Sequence, residues 1–248
     1  GQKVLLSTPE QGGHASMPVI LDTLNIQYDS IPYNFDKYQI DYTSLNKMCA
    51  TGNYSFIILC QSDLITVPDL NKIDLPSNMG IIYDATQTLG LICGLRDIQP
   101  NHMACLLLSL IEQIEYGVEY QHTTIALANM LAKKLEKYGF NIAKISDEVY
   151  TMTHQIFLLM TKKETDFFYN QALDYNISLN QKHKKLFSED GIRLGTQQIA
   201  RYNWEEQDID ELAKLLFLIK HKGSLNEIKT IRKKLIDKKI PHFTYNEI

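Results

Sequence analysis

The chain has 248 residues, of which 44% are hydrophobic and 22% charged, and its 25 Lys and Arg against 29 Asp and Glu give a net charge of −4. This composition excludes a mainly disordered chain, and it argues against a nucleic-acid binder that depends on bulk positive charge. Only 12 residues are Gly, which is about 5% against a typical usage of about 7%. That is few for a protein built around glycine-rich phosphate loops.

The spacing of the cysteines and the length of the apolar runs indicate the cellular compartment of the protein. The four cysteines, Cys49, Cys60, Cys93 and Cys105, form no C-x-x-C motif, and none stands at zinc-site spacing from a His. Cys60 and Cys105 lie in apolar runs, where a free thiol behaves as a small buried hydrophobe. The pattern predicts a reduced, cytoplasmic protein without a metal site. The longest apolar run, 103–111, is too short to span a bilayer, and we expect no signal peptide and no membrane association.

Short apolar runs alternate with helical patterns over the first hundred residues. Strands are predicted at 4–6, 54–60 and 80–84. The second of these has no polar alternation after Ser55, which is typical of a central parallel strand covered on both faces. Because strands and helices alternate, the sequence predicts an α/β domain with a mostly parallel sheet.

The second half of the chain has a different pattern, with longer helical stretches and two strand-like runs. Residues 102–138 are helical in pattern, and we predict two helices with a break near Tyr116 and Gly117. The order of elements indicates a smaller α+β domain, so we expect a domain of 1–140 and a second one of 141–248. The remaining predicted elements are strands at 140–145 and 155–160 and helices at 164–175, 209–219 and 224–239, the last basic and solvated.

Polar residues follow the predicted strands at the points where ligands bind in open α/β sheets, the carboxyl ends. His14 follows the first strand through a Gly-Gly turn, Ser62 follows the second, and Asp84 closes the third. Arg193 lies between glycines in the segment 191–196, Gly-Ile-Arg-Leu-Gly-Thr. Each residue alone fits an ordinary role as a cap, a turn former or a surface ion pair. Their shared placement favours a binding site.

Several of these segments resemble one family. Residues 83–92, Tyr-Asp-Ala-Thr-Gln-Thr-Leu-Gly-Leu-Ile, resemble the Asp-x-Ala-His-x-x-Gly-Leu block of serine hydroxymethyltransferases, and 191–196 is identical to that family's Gly-Ile-Arg-Leu-Gly-Thr segment. Residues 12–14 and 99–102 resemble its Gly-Gly-His turn and a shortened Gln-Gly-Gly-Pro-His-Asn-His motif. The resemblance implies a fold-type-I pyridoxal-phosphate enzyme: an α/β protein with a mostly parallel, incomplete large domain and a smaller α+β C-terminal domain.

The resemblance also implies cofactor-binding roles. Asp84 would accept a hydrogen bond from the pyridine nitrogen of pyridoxal phosphate, which keeps the ring an electron sink. His14 would stack on the ring and Thr86 would pack on its opposite face. Ser62 would lie near the ring's phenolic oxygen. Gln87 stands where the family has its catalytic His, and an amide cannot shuttle a proton near neutral pH.

The implied reaction is aldol and retro-aldol chemistry on a small amino acid, with Arg193 gripping the substrate carboxylate through its bidentate fork. Tetrahydrofolate is then a candidate co-substrate. Because of Gln87 and the residues after it, a β-hydroxy-amino-acid aldolase or a threonine transaldolase-type enzyme that uses an aldehyde is the alternative. An inactive, Lys-less homologue that acts as a binding subunit is a further alternative. The resemblance implies a homodimer.

One part of the family pattern is missing. The family's covalent Lys should follow the strand that ends at Asp84, yet no Lys occurs between Asp84 and Lys133. Lys133 and Lys134 fall in an amphipathic helix and are expected to be solvated. In the family a Lys-bearing, Gly-rich segment separates the blocks that here meet between Ile98 and Gln99. We therefore hypothesise that a segment is missing at that junction, as is the family's N-terminal phosphate loop, and that 248 residues is a lower bound.

Overall fold

The computed structural model describes residues 3–88, 103–202, 204–238 and 242–243, without the side chains of 103–109. The chain forms two compact units, one of Gly1–Leu89 with Lys184–Leu186 and one of Gly90–His183 with Phe187–Ile248. The domain boundary near residue 140 stays a prediction. The predicted junction between residues 98 and 99, and the motif at 99–102, lie outside the described residues.

The first unit is an α/β unit built on a parallel sheet. The sheet order is β2-β1-β5-β6, and every described pairing within it is parallel. A separate antiparallel pair is formed by β3 and β4. In chain order the elements are β1 (Lys3–Leu6), α1 (Ser16–Thr23), β2 (Tyr28–Ser30), β3 (Tyr33–Asn34), β4 (Gln39–Ile40), α2 (Tyr42–Cys49), β5 (Tyr54–Cys60) and β6 (Gly80–Asp84), with 3-10 turns at Pro9–Gln11 and Leu70–Lys72.

Strand β5 is an interior strand with apolar side chains on both of its faces. Successive side chains of a strand point to opposite faces. Ile57 and Leu59 pack in one buried cluster together with Leu45 of α2. Ile58 packs in a second cluster that includes Leu21 of α1. The apolar run of β5 is unbroken because a buried cluster packs against each of its two faces. The prediction of a central parallel strand is confirmed.

The second unit combines helices with a small sheet. The sheet order is β7-β9-β8, and β7 runs antiparallel to β9. One large apolar core joins the long helix α3 to this sheet and to the helices that follow it. In chain order the elements are α3 (Met103–Lys137), β7 (Gln155–Met160), α4 (Lys162–Asp174), β8 (Asn180–Lys184), β9 (Glu189–Gly195), α5 (Gln197–Ala200), α6 (Glu206–Lys220) and α7 (Leu225–Asp237), with a 3-10 turn at Lys185–Phe187.

Two predicted elements of this unit differ in the structure. Helix α3 runs without the predicted break at Tyr116 and Gly117, because the core that it covers continues along it and outweighs the modest cost of one interior Gly. The predicted strand at 140–145 forms only an isolated bridge between Ile142 and Leu158. The chain turns away there, and the N–H of Ile145 donates to the carbonyl of Val149 at 2.9 Å.

None of the helices in the described part of the chain is both long enough and apolar enough to cross a membrane.

Candidate functional site

The turn after β1 is bound to the loop after β5 by main-chain hydrogen bonds. The N–H of His14 donates to the carbonyl of Cys60 at 2.8 Å, and the N–H of Ser62 donates to the carbonyl of Gly12 at 2.8 Å. Strands β5 and β6 pair in parallel, and in this pair Cys60 lies opposite Asp84. The structure therefore brings His14, Ser62 and Asp84 to one carboxyl edge of the sheet. Their binding roles remain predictions.

Two glycines allow this close approach. Gly12 has a φ of +88°, and a Cβ atom built there would lie 2.0 Å from the carbonyl oxygen of Asp63. A Cβ atom on Gly13 would lie 1.9 Å from the carbonyl oxygen of Ser7. Any side chain at either position would displace the backbone of the turn that carries His14.

Asp84 presents an exposed carboxylate at the end of β6. Its Oδ1 accepts hydrogen bonds from the N–H of Thr86 at 2.9 Å and from the Thr86 hydroxyl, and its Oδ2 accepts one from the thiol of Cys60 at 3.0 Å. Partial burial is the largest single influence and raises the Asp84 pKa. The hydrogen bonds from Thr86 and Cys60 and the charge of His14 together outweigh it, so the pKa is lowered. Asp84 is therefore ionised at neutral pH and keeps capacity to accept a further hydrogen bond.

Cys60 is the hydrogen-bond partner of Asp84, a role that its apolar sequence context did not indicate. The residue is partly exposed rather than a buried hydrophobe. Burial, followed by the hydrogen bond to Asp84 and the charge of Asp84, raises the pKa of its thiol to about 12. The thiol is therefore protonated at neutral pH and can donate to the carboxylate permanently. Its own carbonyl holds His14, so Cys60 contacts two of the predicted site residues.

The other predicted residues at this edge are exposed or partly buried. His14 is exposed, and its Nδ1 lies 2.7 Å from the hydroxyl of Ser16. Ser62 is partly buried, and its hydroxyl lies 3.5 Å from the carbonyl oxygen of Gly12. Gln87 is partly buried in the turn that follows β6. The predicted packing of Thr86 against a ring stays a prediction, and in the structure its hydroxyl is used by Asp84.

An ion pair beside Ser62 was missed by sequence reasoning. Asp63 is fully buried, and its Oδ2 lies 2.6 Å from the ammonium nitrogen of Lys184. The N–H of Lys185 also donates to the carboxylate of Glu10 at 2.8 Å. These contacts join the segment Lys184–Leu186 to the first unit. Removing one partner of a buried pair leaves an uncompensated charge, which costs about 3–5 kcal/mol.

Arg193 lies in the second unit, on β9, opposite Phe157 of β7. It is partly buried. A Cβ atom on the neighbouring Gly191 would lie 2.2 Å from the carbonyl oxygen of Leu158, so that glycine is required by the close pairing of the two strands. His154, just before β7, is buried near Arg193 and was not singled out from the sequence.

The two lysines considered as substitutes for the family's covalent Lys lie on α3. Lys133 is exposed. Lys134 is not solvated as predicted, since its side chain is only 15% exposed and its ammonium lies 3.1 Å from Glu206 and 3.3 Å from Asp210. Burial is the largest influence and lowers the Lys134 pKa, but the two carboxylates outweigh it and raise the pKa. Lys134 is therefore a structural cation.

Metal-ligating side chains do not converge in the described ranges, where no group of three His, Cys, Asp or Glu residues could hold an ion.

Comparisons with known proteins show a similarity to serine hydroxymethyltransferases. No protein-family model matches it. It is 28% identical over 123 residues to a serine hydroxymethyltransferase of Methanosphaera stadtmanae, a match that covers 47% of this chain and 29% of the relative. Matches to the serine hydroxymethyltransferases of Pyrobaculum arsenaticum and Saccharolobus islandicus are 21% and 23% identical and cover 86% and 92% of this chain.

A solved structure shares the fold of the chain. The structure of an L-threonine transaldolase from Pseudomonas fluorescens matches 99% of this chain and 70% of its own, with a TM-score of 0.83 and 18% sequence identity. The chain is therefore similar in sequence to serine hydroxymethyltransferases, and it shares the α/β fold of the transaldolase. This confirms the predicted family and the predicted α/β fold class.

The chain matches only part of the length of these relatives. The matched segments span 29% of the length of the M. stadtmanae protein, 63% of the P. arsenaticum protein and 67% of the S. islandicus protein. The P. arsenaticum alignment runs over 274 positions, more than the 248 residues of this chain, although it takes in only 86% of them. That relative therefore has residues inside the aligned region with no counterpart here.

Proposed function

We propose that this chain provides the pyridoxal-phosphate site and the amino-acid-binding residues of an enzyme that makes and breaks the bond between Cα and Cβ of small amino acids. The observation that carries the proposal is the arrangement of Asp84, an ionised carboxylate at the carboxyl edge of a parallel sheet, beside the Gly-Gly turn that bears His14. Ligands of open α/β folds bind at this edge.

The residues at this edge fit the cofactor. Asp84 is exposed, ionised and able to accept one more hydrogen bond, which is what a protonated pyridine nitrogen requires. His14 is exposed on the adjacent turn and free to lie against a ring face. Further hydroxyl and amide groups near Asp84 and His14 are supplied by Ser62, Thr86 and Gln87. When bound, the cofactor supplies an electron sink for the α-carbon of the substrate.

Arg193 is proposed to bind the substrate carboxylate. Its guanidinium is planar, permanently charged and suited to two parallel hydrogen bonds to a carboxylate. Its segment is identical to the Gly-Ile-Arg-Leu-Gly-Thr segment of the family. In this proposal the ligand of Arg193 is the amino-acid substrate and not the aldehyde.

We further propose that the covalent Lys comes from a segment that is missing between Ile98 and Gln99 of this sequence. The chain has no Lys between Asp84 and Lys133, and the next two lysines, Lys133 and Lys134 on α3, are exposed and paired with carboxylates respectively. The longer alignments with relatives support a gap inside this chain. In this proposal Asp84 and Arg193 belong to a catalytically competent enzyme.

Two reactions compete within this class. Serine and glycine interconversion with tetrahydrofolate is the reaction suggested by the names of the sequence relatives. Transfer involving a β-hydroxy amino acid and another aldehyde is favoured by Gln87, because an amide cannot relay a proton near neutral pH as an imidazole can. The Gln87 substitution makes the second reaction a serious alternative to the first.

Product analysis separates these reactions. The purified protein, supplied with pyridoxal phosphate, is assayed for serine cleavage with and without tetrahydrofolate, and for exchange between threonine and an added aromatic aldehyde. Folate-dependent serine cleavage supports the hydroxymethyltransferase, and folate-independent exchange supports the aldolase or transaldolase. The D84N variant should lose either activity. Absence of both activities, with the cofactor bound, would favour the inactive binding subunit.

A homodimer and a cytoplasmic location complete the proposal. Both derive from the family resemblance and from the cysteine pattern of the sequence.

A further inference from the structure

His154 is a buried histidine whose hydrogen bonding is incomplete. Its side chain precedes β7 and the residue is only 5% exposed. The Nδ1 atom of its ring is buried without a hydrogen-bond partner. Buried polar atoms are nearly always satisfied in proteins, and an unsatisfied one lowers stability. A bound group that completes this hydrogen bond would therefore be favoured.

The ring of His154 lies on the same face of β9 as Arg193. Arg193 and Gly195 are two residues apart on this strand, so their Cα–Cβ directions point to one face. A Cβ atom built on Gly195 would lie 3.6 Å from Cδ2 of His154. That distance is an ordinary van der Waals contact, so the imidazole lies against the Gly195 position on the face to which Arg193 points.

The backbone of His154 is held firmly in this position. Its carbonyl accepts hydrogen bonds from the N–H of Thr196 at 3.0 Å and from the Thr196 hydroxyl at 3.2 Å. The same hydroxyl also lies 2.8 Å from the carbonyl oxygen of Thr124, so its one proton is shared between the two carbonyls. Thr196 thus ties the residue before β7 to the end of β9 and to helix α3.

We propose that His154 is a second binding residue for the carboxylate that Arg193 holds, and that its neutral imidazole donates a hydrogen bond to one carboxylate oxygen. The inference rests on the proposed function of Arg193 and extends it to a residue with no assigned role. A neutral ring adds a donor without a second positive charge beside the guanidinium. The substrate carboxylate then provides the acceptor that the ring lacks in the free protein.

Binding should change the protonation of His154. Burial first, and then the charge of Arg193, lower its pKa to about 4 in the free protein. A carboxylate beside Arg193 offsets that positive charge and favours the imidazolium. The His154 pKa is therefore expected to rise when the carboxylate binds, and the affinity for the carboxylate should strengthen as the pH falls toward 4.

The test uses glycine as the probe and nuclear magnetic resonance of the histidine rings, which detects weak binding. In the wild-type protein we expect the pKa of His154 to rise by at least one unit on saturation with glycine. H154F should bind glycine about tenfold more weakly, since a hydrogen bond to a charged group is lost. H154Q, which keeps an N–H donor, should retain most of the affinity. H122F, at an exposed histidine, serves as the matched control.

The outcomes separate the two proposals. Unchanged glycine affinity in H154F, with no change in the His154 pKa of the wild type, overturns the inference and leaves the role of Arg193 intact. Glycine affinity that is unaffected by R193M, or no binding to the wild type, overturns the proposed role of Arg193 and the inference with it. Should H154F fail to fold, the wild-type pKa and the H154Q affinity decide the question.

Discussion

Asp84 and Cys60 show how a single contact shapes the candidate cofactor site. The two residues end adjacent parallel strands, and the register of β5 and β6 places them opposite each other. The thiol donates to Oδ2 of the carboxylate, and Thr86 donates to Oδ1. The carboxylate is therefore held by both oxygens before any ligand arrives. Such preorganisation is what a binding site for a protonated ring nitrogen needs.

The pH profile of Cys60 alkylation tests this contact directly. In the wild type the thiol pKa of about 12 should keep Cys60 slow to react with iodoacetamide at neutral pH. In D84N the pKa should fall, but not to its ordinary value, because burial is the larger cause and remains. Mass spectrometry of the labelled peptides gives the rates.

Cys49 provides the internal control for this experiment, since it is buried and burial is the main cause of its raised pKa. Its alkylation profile should be the same in both proteins. Identical Cys60 profiles in the wild type and D84N would show that the thiol does not donate to Asp84 in solution.

Sequence could identify only some of the site residues. His14, Ser62 and Asp84 were found because each follows a predicted strand, a local signal. Lys184 was missed because its partner Asp63 is 121 residues away along the chain, a separation that no local pattern crosses. Cys60 was missed because its neighbours in sequence are apolar, whereas its side chain lies at the sheet edge beside Asp84.

At the scale of elements, glycine has opposite effects at the middle and the end of α3. Gly117 lies inside the continuous helix, where Gly costs about 0.5–1 kcal/mol relative to Ala. Gly139 follows the helix with a φ of +81° and no atoms close to where its Cβ would be. This left-handed conformation is typical of a residue that ends a helix.

Two alanine substitutions test these opposite effects of glycine in α3. G117A should raise the free energy of unfolding by about 0.5–1 kcal/mol, since a Cβ there meets only the movable end of the Gln113 side chain. G139A should lower it by about 1 kcal/mol, because Ala disfavours a positive φ. Urea unfolding measures both variants. Destabilisation by G117A would instead support the helix break at Tyr116 and Gly117 that the sequence suggested.

Most elements could be predicted because their patterns are long or unambiguous. Strands β5 and β6 have the predicted bounds, since their apolar runs end at turns. The prediction of a break in α3 was wrong because one Gly only weakly destabilises a helix that packs against a core. The run at 140–145 was wrong because apolar residues also occur in a buried segment that makes a single bridge.

At the scale of the whole molecule, the resemblance to serine hydroxymethyltransferases was visible in short motifs, and the comparisons confirmed it over most of the chain. The order of those motifs also predicted the missing segment between Ile98 and Gln99, whereas the geometry of the site required the structure. Within the described residues β6 pairs with β5 alone, so it stands at an edge of the sheet. A longer polypeptide with residues inserted after β6 is consistent with that edge.

The mass of the protein from its native source tests the proposed insertion. We expect an intact mass above 28.6 kDa, with peptides that bear a Lys between those of Ile98 and Gln99. A peptide that runs uninterrupted from Ile98 to Gln99 would exclude the insertion. The inactive binding subunit would then become the better proposal.

The central claim is that Asp84 anchors a pyridoxal-phosphate site, and calorimetric titration with pyridoxamine phosphate tests it most directly. This probe keeps the ring nitrogen but has no aldehyde, so it cannot react with surface lysines, and it needs no covalent Lys. We expect saturable binding that D84N weakens about 10- to 100-fold, through loss of a charge-assisted hydrogen bond, and that D36N at an exposed carboxylate leaves unchanged. No binding, or equal binding by the wild type and D84N, would contradict it.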